Sequence, residues 1–170
     1  MANQDSPFGL RAIGKIGQNR DNQGLAEFSI AASATAIYGQ DPVKALNTGT
    51  IGVAGAGDSL LGSLNGVFFT AADTSKPTFA NHLNASNTAT DIVGFVSSDP
   101  YERFEVQSDN TLASAQTDVF MNYDILYTAG DSANYVSAVQ LDDSTTSTTS
   151  GQLKVVGVSK DAEGNTKEKV

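Results

Sequence analysis

The sequence predicts an all-β fold: a small β-barrel or barrel-like sandwich with an extended N-terminal arm and long polar loops. Three observations carry this expectation. Short stretches rich in Val, Ile, Phe and Tyr alternate with polar residues at a period of two, the spacing of a half-buried strand. Clusters of Gly, Asn, Asp, Ser and Thr separate them, and these are turn formers. No segment carries apolar residues at the spacing of an amphipathic helix.

Residues 1–25 read as the arm. Phe8, Leu10, Ile13 and Ile16 are apolar, while Gly9, Gly14 and Gly17 would interrupt any helix. A free tail does not need those apolar residues; an arm lying in a groove does. Residues 26–159 then read as the β-domain. Glu27–Ile30 alternates, and Ala36–Tyr38 continues the pattern beyond a small-residue turn. Asp41-Pro42 marks a turn, and Thr50–Val53 is a short strand. Gly66–Thr70 and Asp91–Val96 are rich in β-branched and aromatic residues, as buried strands are. Between them, residues 71–90 read as one long polar loop, a length that suggests a role or a neighbour to pack on.

The second half has the clearest pattern. Phe104 and Val106 alternate with Arg103, Glu105 and Gln107. From Asp118 to Tyr127 the odd positions are Val119, Met121, Tyr123, Ile125 and Tyr127, which a period of two places on one face. Tyr135–Leu141 and Leu153–Val158 add two strands, separated by a solvated Ser/Thr loop at 142–151. Residues 160–170 are charged and apolar-poor, as expected of a loop or frayed tail.

Composition bounds the function. At 170 residues one domain is expected. Leu, Ile, Val and Phe make up a little under a quarter of the chain, just above the roughly one-fifth needed to fold, so the core is small. The absence of Cys excludes disulfides, thiolate metal sites and thiol nucleophiles. The single histidine, His82, excludes a multi-histidine metal site within one chain. No apolar run approaches the ~20 residues of a membrane span. The opening Met1-Ala2-Asn3-Gln4-Asp5 lacks the basic and apolar parts of a signal peptide, so synthesis in the cytoplasm is expected.

The net charge of −9 is unevenly spread. In residues 1–25, Arg11, Lys15 and Arg20 outweigh Asp5 and Asp21, whereas the rest holds seven bases against 17 acids. An acidic body without a basic stripe is a poor nucleic-acid binder. The basic, apolar arm is therefore the expected attachment element, with Arg11, Lys15 and Arg20 pairing acids on a neighbour.

Catalytic motifs fail on inspection. Gly52 to Gly57 has the glycine spacing of a phosphate loop, but Asp58 stands where its lysine must be. Asp99, Glu102 and Glu105, or Asp142 and Asp143, are carboxylate clusters better read as solvated turns than as an acid/base pair or calcium loop. His82 has no Ser nucleophile at a recognisable elbow and reads as a packed or surface imidazole. No enzyme, metal or cofactor is expected.

The opening "ANQDSPFGLRAIGKIGQNRDNQG", followed by "EFSIAASATAIYGQDPVKA", resembles the start of small virion structural proteins of tailed bacteriophages. The later segments "VSSDPYERFEVQSD", "DVFMNYDI" and "SAVQLDDSTTSTTSGQLKVVGVSKDAEGN" resemble the same family in the same order. The likeness spans nearly the whole chain and is weakest over residues 55–90. It implies a capsid decoration, or cement, protein made in the host bacterial cytoplasm and placed on the outer capsid surface of the virion. The implied partner is the major capsid protein, and the implied assembly a homotrimer, with neither nucleic acid nor membrane bound. The resemblance makes Phe8, Leu10, Arg11 and Ile13 candidate capsid contacts, and the charge pattern adds Lys15 and Arg20. Similar proteins run on past the Asp161–Asn165 turn into a final strand, so the last strand of this barrel is left open. A tail or neck component is the nearest alternative. A virion surface carbohydrate-binding module, stacking sugars on Tyr38, Tyr101 and Tyr135, is a more distant one.

Overall fold

Nine-residue Gly62–Thr70, with its run of Val and Phe, organises the largest sheet. A computed structural model describes residues 5–17, 24–109, 116–158 and 168–169, and there the chain is all-β. Its strands are β1 (Arg11–Lys15), β2 (Ala26–Ser29), β3 (Pro42–Ala45), β4 (Ile51–Val53), β5 (Gly62–Thr70) and β6 (Pro77–Ala80). They continue with β7 (Val93–Ser97), β8 (Glu102–Gln107), β9 (Asn122–Leu126), β10 (Gln140–Ser147), β11 (Leu153–Lys154) and β12 (Glu168–Lys169). A 3-10 turn occupies Gln116–Asp118.

The six-stranded sheet runs β2-β7-β5-β3-β4, with β6 also on β5. On one side β5 pairs with β7. Other ladders join its first residues to β3 and its last to β6. Asn65 interrupts the β5–β7 ladder as a bulge between the pairs Leu64–Val96 and Gly66–Phe95. Strict alternation from Leu64 would have turned Val67 outward. The bulge resets the phase, and both are fully buried.

The sheet curls around a core of Ile30, Ile37, Val43, Ile51, Leu64, Val67, Leu83, Ala89, Ile92 and Val96. Among the described residues its two edges meet only at one isolated bridge, Ile30 to Ile51. Among the described residues no strand ladder closes a barrel.

Two three-stranded sheets, β1-β8-β12 and β10-β9-β11, form the rest. A second core of Leu10, Val106, Tyr123, Leu141 and Val155 belongs to them. Hydrogen bonds stitch the two cores together. Leu10 N–H donates to the Gln40 carbonyl at 2.9 Å, and the Ser63 hydroxyl donates to the Leu10 carbonyl at 2.6 Å. The Gln152 amide donates to the carbonyls of Gly55 and Asp58 at 2.9 and 2.7 Å.

Five expectations are corrected. Over its described part the arm lies on its own chain rather than on a neighbour: Arg11–Lys15 is a strand on β8, with Arg11 opposite Glu105. Residues 71–90 include β6, because Phe79 and its neighbours pair with the end of β5. The strand expected over 118–127 is shorter, because Phe120 adopts a left-handed φ of 74° and turns the chain before Asn122. The 142–151 loop is strand as far as Ser147. Side chains hold it there rather than apolar burial: the Thr145 hydroxyl accepts Asp124 N–H at 2.8 Å, and Asn122 donates to the Ser147 carbonyl at 3.1 Å. Within 160–170, Glu168–Lys169 pairs with Val106–Gln107, and the rest lies outside the described residues.

Candidate functional site

The arm residues come together on one edge, but their chemistry is turned inward. Leu10 is 1% exposed and belongs to the second core. Arg11 donates from Nε to Glu105 Oε2 at 3.0 Å and pairs with the same carboxylate through Nη2. Its guanidinium also lies 4.6 Å from the centre of the Phe8 ring. Lys15 pairs with Asp99 at 2.9 Å. The acids expected on a neighbour are therefore on this chain. Only Ile13 and Ile16 of β1 and its end present large apolar area to solvent. Arg20 lies outside the described residues.

A surface that the sequence reading did not single out lies on the six-stranded sheet. With Val67 and Phe69 turned to the core, Phe68 must face outward, and its ladder partner is Phe79 on β6. Their ring centroids are 4.7 Å apart and tilted by 49°. Phe95 on β7 stacks against Phe79 with centroids 6.3 Å apart. Leu25, just before β2, extends the surface. Phe79 is 73% exposed, an unusual state for the most apolar part of a sheet. Asn65, Gly66 and Asn81 line the shallow depression beside it, and no charged side chain does. The signal was in the sequence, since Phe68 and Phe69 are adjacent and one of them had to point out.

Comparison with known proteins gives no match. No family model, no curated protein and no solved structure aligns with this chain.

The remaining motifs resolve into structural roles. Asp58 closes its own turn, accepting Gly55 N–H and Lys44 Nζ–H at 2.7 Å each, and the Lys44 bond is the main reason its pKa is lowered. Asp99 and Glu105 hold β1, as described. Asp142 accepts from Ser144 N–H at 2.9 Å, and Asp143 accepts from the Ser108 hydroxyl. His82 stacks on Tyr135 with centroids 3.7 Å apart and bonds Asn81 Oδ1 at 2.8 Å; partial burial lowers its pKa. Tyr101 is half exposed, whereas Tyr38 is packed under Gly130. Among the described residues no three His, Asp or Glu side chains converge as metal ligands, and no helix is long and apolar enough to cross a membrane.

What the aromatic surface can do is bind. Each Phe that leaves water gains about 25 cal/mol per Å² of apolar area. Exposed apolar patches of this kind mark protein–protein contacts, with aromatic side chains as their anchors.

Proposed function

We propose that this chain is a capsid decoration protein that binds the outer surface of a bacteriophage head and stabilises contacts between major capsid protein subunits. The observation that carries the reading is the Phe68–Phe79–Phe95 surface, an apolar face built on strands and bordered by Glu27, the cross-strand neighbour of Phe95. The ordered resemblance of the arm and later segments to small virion proteins supports the head as the partner. The protein acts by binding alone, without metal or cofactor, and a homotrimer presents three such faces at once. Repetition over a lattice turns modest affinity per face into firm attachment. Ile13 and Ile16 give the β1 edge a secondary contact, with Phe8 beside it. The single Ile30–Ile51 bridge between sheet edges favours a barrel-like body over an open sandwich.

The test uses heads lacking the protein, incubated with the purified chain and then sedimented. Phe79→Ser removes an exposed ring and leaves the circular dichroism unchanged. It is expected to weaken attachment at least about tenfold, which corresponds to ~1.4 kcal/mol per site. Undiminished attachment of that variant rules out this face. Copy number by gel densitometry then separates a head position, with hundreds per particle, from a tail or neck position, with far fewer.

A further inference from the structure

Phe120 is out of place for a residue that serves only its own fold. It follows the 3-10 turn at Gln116–Asp118 with a φ of 74°, a position where glycine or asparagine is the usual choice. Backbone bonds fix it there. Phe120 N–H donates to the Val155 carbonyl at 2.8 Å, and Met121 N–H donates to the Asp118 carbonyl at 3.1 Å. The result is a large apolar ring, 69% exposed, on a pinned turn. Left-handed backbone at non-glycine residues gathers at functional sites, and aromatic rings that fill pockets are the usual anchors of protein contacts.

The same chain carries an apolar cleft beside this ring. The cleft measures about 510 Å³, and its walls include Leu10, Leu60, Phe104, Val106, Leu153 and Val155. Val155 joins the two features: its carbonyl holds Phe120 in place, and the residue is part of the cleft wall. Phe120 itself is not among the walls. The acids lining the cleft are Asp99 and Glu102. They are offset by Lys15, paired with Asp99 at 2.9 Å, and by Lys154, so no net negative charge gathers there.

We propose that Phe120 of one copy of this chain docks into the cleft of a second copy. A chain of net charge −9 repels its own copies over most of its surface, and this cleft is a place where they meet without opposing acids. Because ring and cleft lie side by side, each copy gives one ring and receives one, and a single kind of contact covers both apolar surfaces. Such a contact closes either as a two-fold pair or as a ring of copies. The proposal does not rest on the capsid reading, since self-association is measured on the chain alone. The homotrimer proposed above is the case in which the contact closes after three copies.

NMR titration of the full chain tests it. Isotope-labelled Phe120→Asn keeps its cleft and suits the left-handed turn. Titrated with the unlabelled parent chain, it should show saturable amide shifts at Leu60 and Phe104. With unlabelled Phe120→Asn as titrant, the affinity should fall at least about tenfold. Dilution of the parent chain alone, which needs no variant to fold, should move the amides of Phe120, Leu60 and Phe104 along one binding curve. Sedimentation equilibrium should give the parent a mass above that of one chain and Phe120→Asn the mass of one. A parent chain that stays monomeric at NMR concentrations overturns the proposal, as does equal self-association of Phe120→Asn. Shifts centred on Phe68, Phe79 and Phe95 instead would show copies meeting through the aromatic surface and overturn it as well.

Discussion

Two residues at the junction between the cores decide much of the local energetics. Gly9 has a φ of 76°, and a Cβ built on it would stand 2.4 Å from the Gln40 carbonyl oxygen and 2.5 Å from Ser137 Cβ. Left-handed geometry and a backbone collision act together, so Gly9→Ala is expected to cost about 2–3 kcal/mol in urea unfolding. A loss below about 0.5 kcal/mol would show that the segment before β1 can shift without consequence. Asp41, fully buried, accepts Tyr38 N–H at 2.8 Å through one oxygen, while the other meets no donor. Burial raises its pKa above 3.8, outweighing the opposing bonds from Ser137 and Tyr38. The stability it contributes is complete below 3.8 and is lost as pH rises through the raised folded value. Asp58 and Asp91 behave oppositely: bonds from Lys44 and from Thr70 lower their pKa values, so their contribution holds above 3.8 and fades as pH falls below it. The melting temperature should therefore rise on acidification from neutral pH, peak, and then fall. Asp41→Asn should flatten the rising limb and keep the falling one, which calorimetry at a series of pH values reads directly. The same cluster pushes the Tyr127 phenol up to about 12, first through burial and then through the Asp41 charge. None of this was legible in the sequence, where Asp41-Pro42 showed only a turn; burial of that carboxylate comes from residues 38 and 137 meeting in space.

At the scale of elements, β1 carries the largest difference between expectation and structure. The glycines and bases of residues 1–25 suggested an arm seeking a partner, and the apolar residues did call for a groove. The groove is the chain's own second core, and the acids are Glu105 and Asp99 on and beside β8, about ninety residues on. Pairing across such a separation leaves no mark in local composition. Leu10→Ala should cost about 2–5 kcal/mol, as deletions from a packed core do. Ile13→Ala, at a position 43% exposed, should change stability by no more than about 0.5 kcal/mol. Equal losses in paired urea titrations would mean that the core does not anchor β1. Alternation was legible where burial drives it: Tyr123 and Ile125 are buried as the odd-numbered face required, and Leu126 is exposed. Composition misled along Asp142–Ser147, where side-chain hydrogen bonds hold a strand, and no local pattern marks Asn65, where one inserted residue reverses the face of everything after it. The aromatic surface was hidden by that reversal and by the composition of 71–90, which masks Phe79 among polar neighbours.

For the whole molecule, the all-β class followed from period and turn chemistry, which act locally, whereas the number of sheets and their closure depend on contacts such as Ile30–Ile51 that no local pattern encodes. The two hydrophobic clusters raise a question that belongs to this scale: whether they unfold as one unit. Their boundary is not a solvated linker. It consists of bonds from buried Leu10 to the half-buried Gln40 and from buried Ser63 to Leu10, with Gln152 reaching from the second core to the turn between β4 and β5. Opening either core would strand those groups away from water, at about 1–3 kcal/mol for each unmet partner. One cooperative transition is therefore expected. Native-state hydrogen exchange should give the same free energy for the amides of Val67 and Val96 as for those of Tyr123 and Ile125. Gln152→Ala removes donors to two carbonyls and the acceptor of Ile125 N–H, and should lower both sets together by about 1–3 kcal/mol. If only the β9 amides fall while those of β5 and β7 hold, the cores are separate folding units. The six-stranded sheet would then keep its aromatic face even when the β1–β8 and β9–β11 half is open.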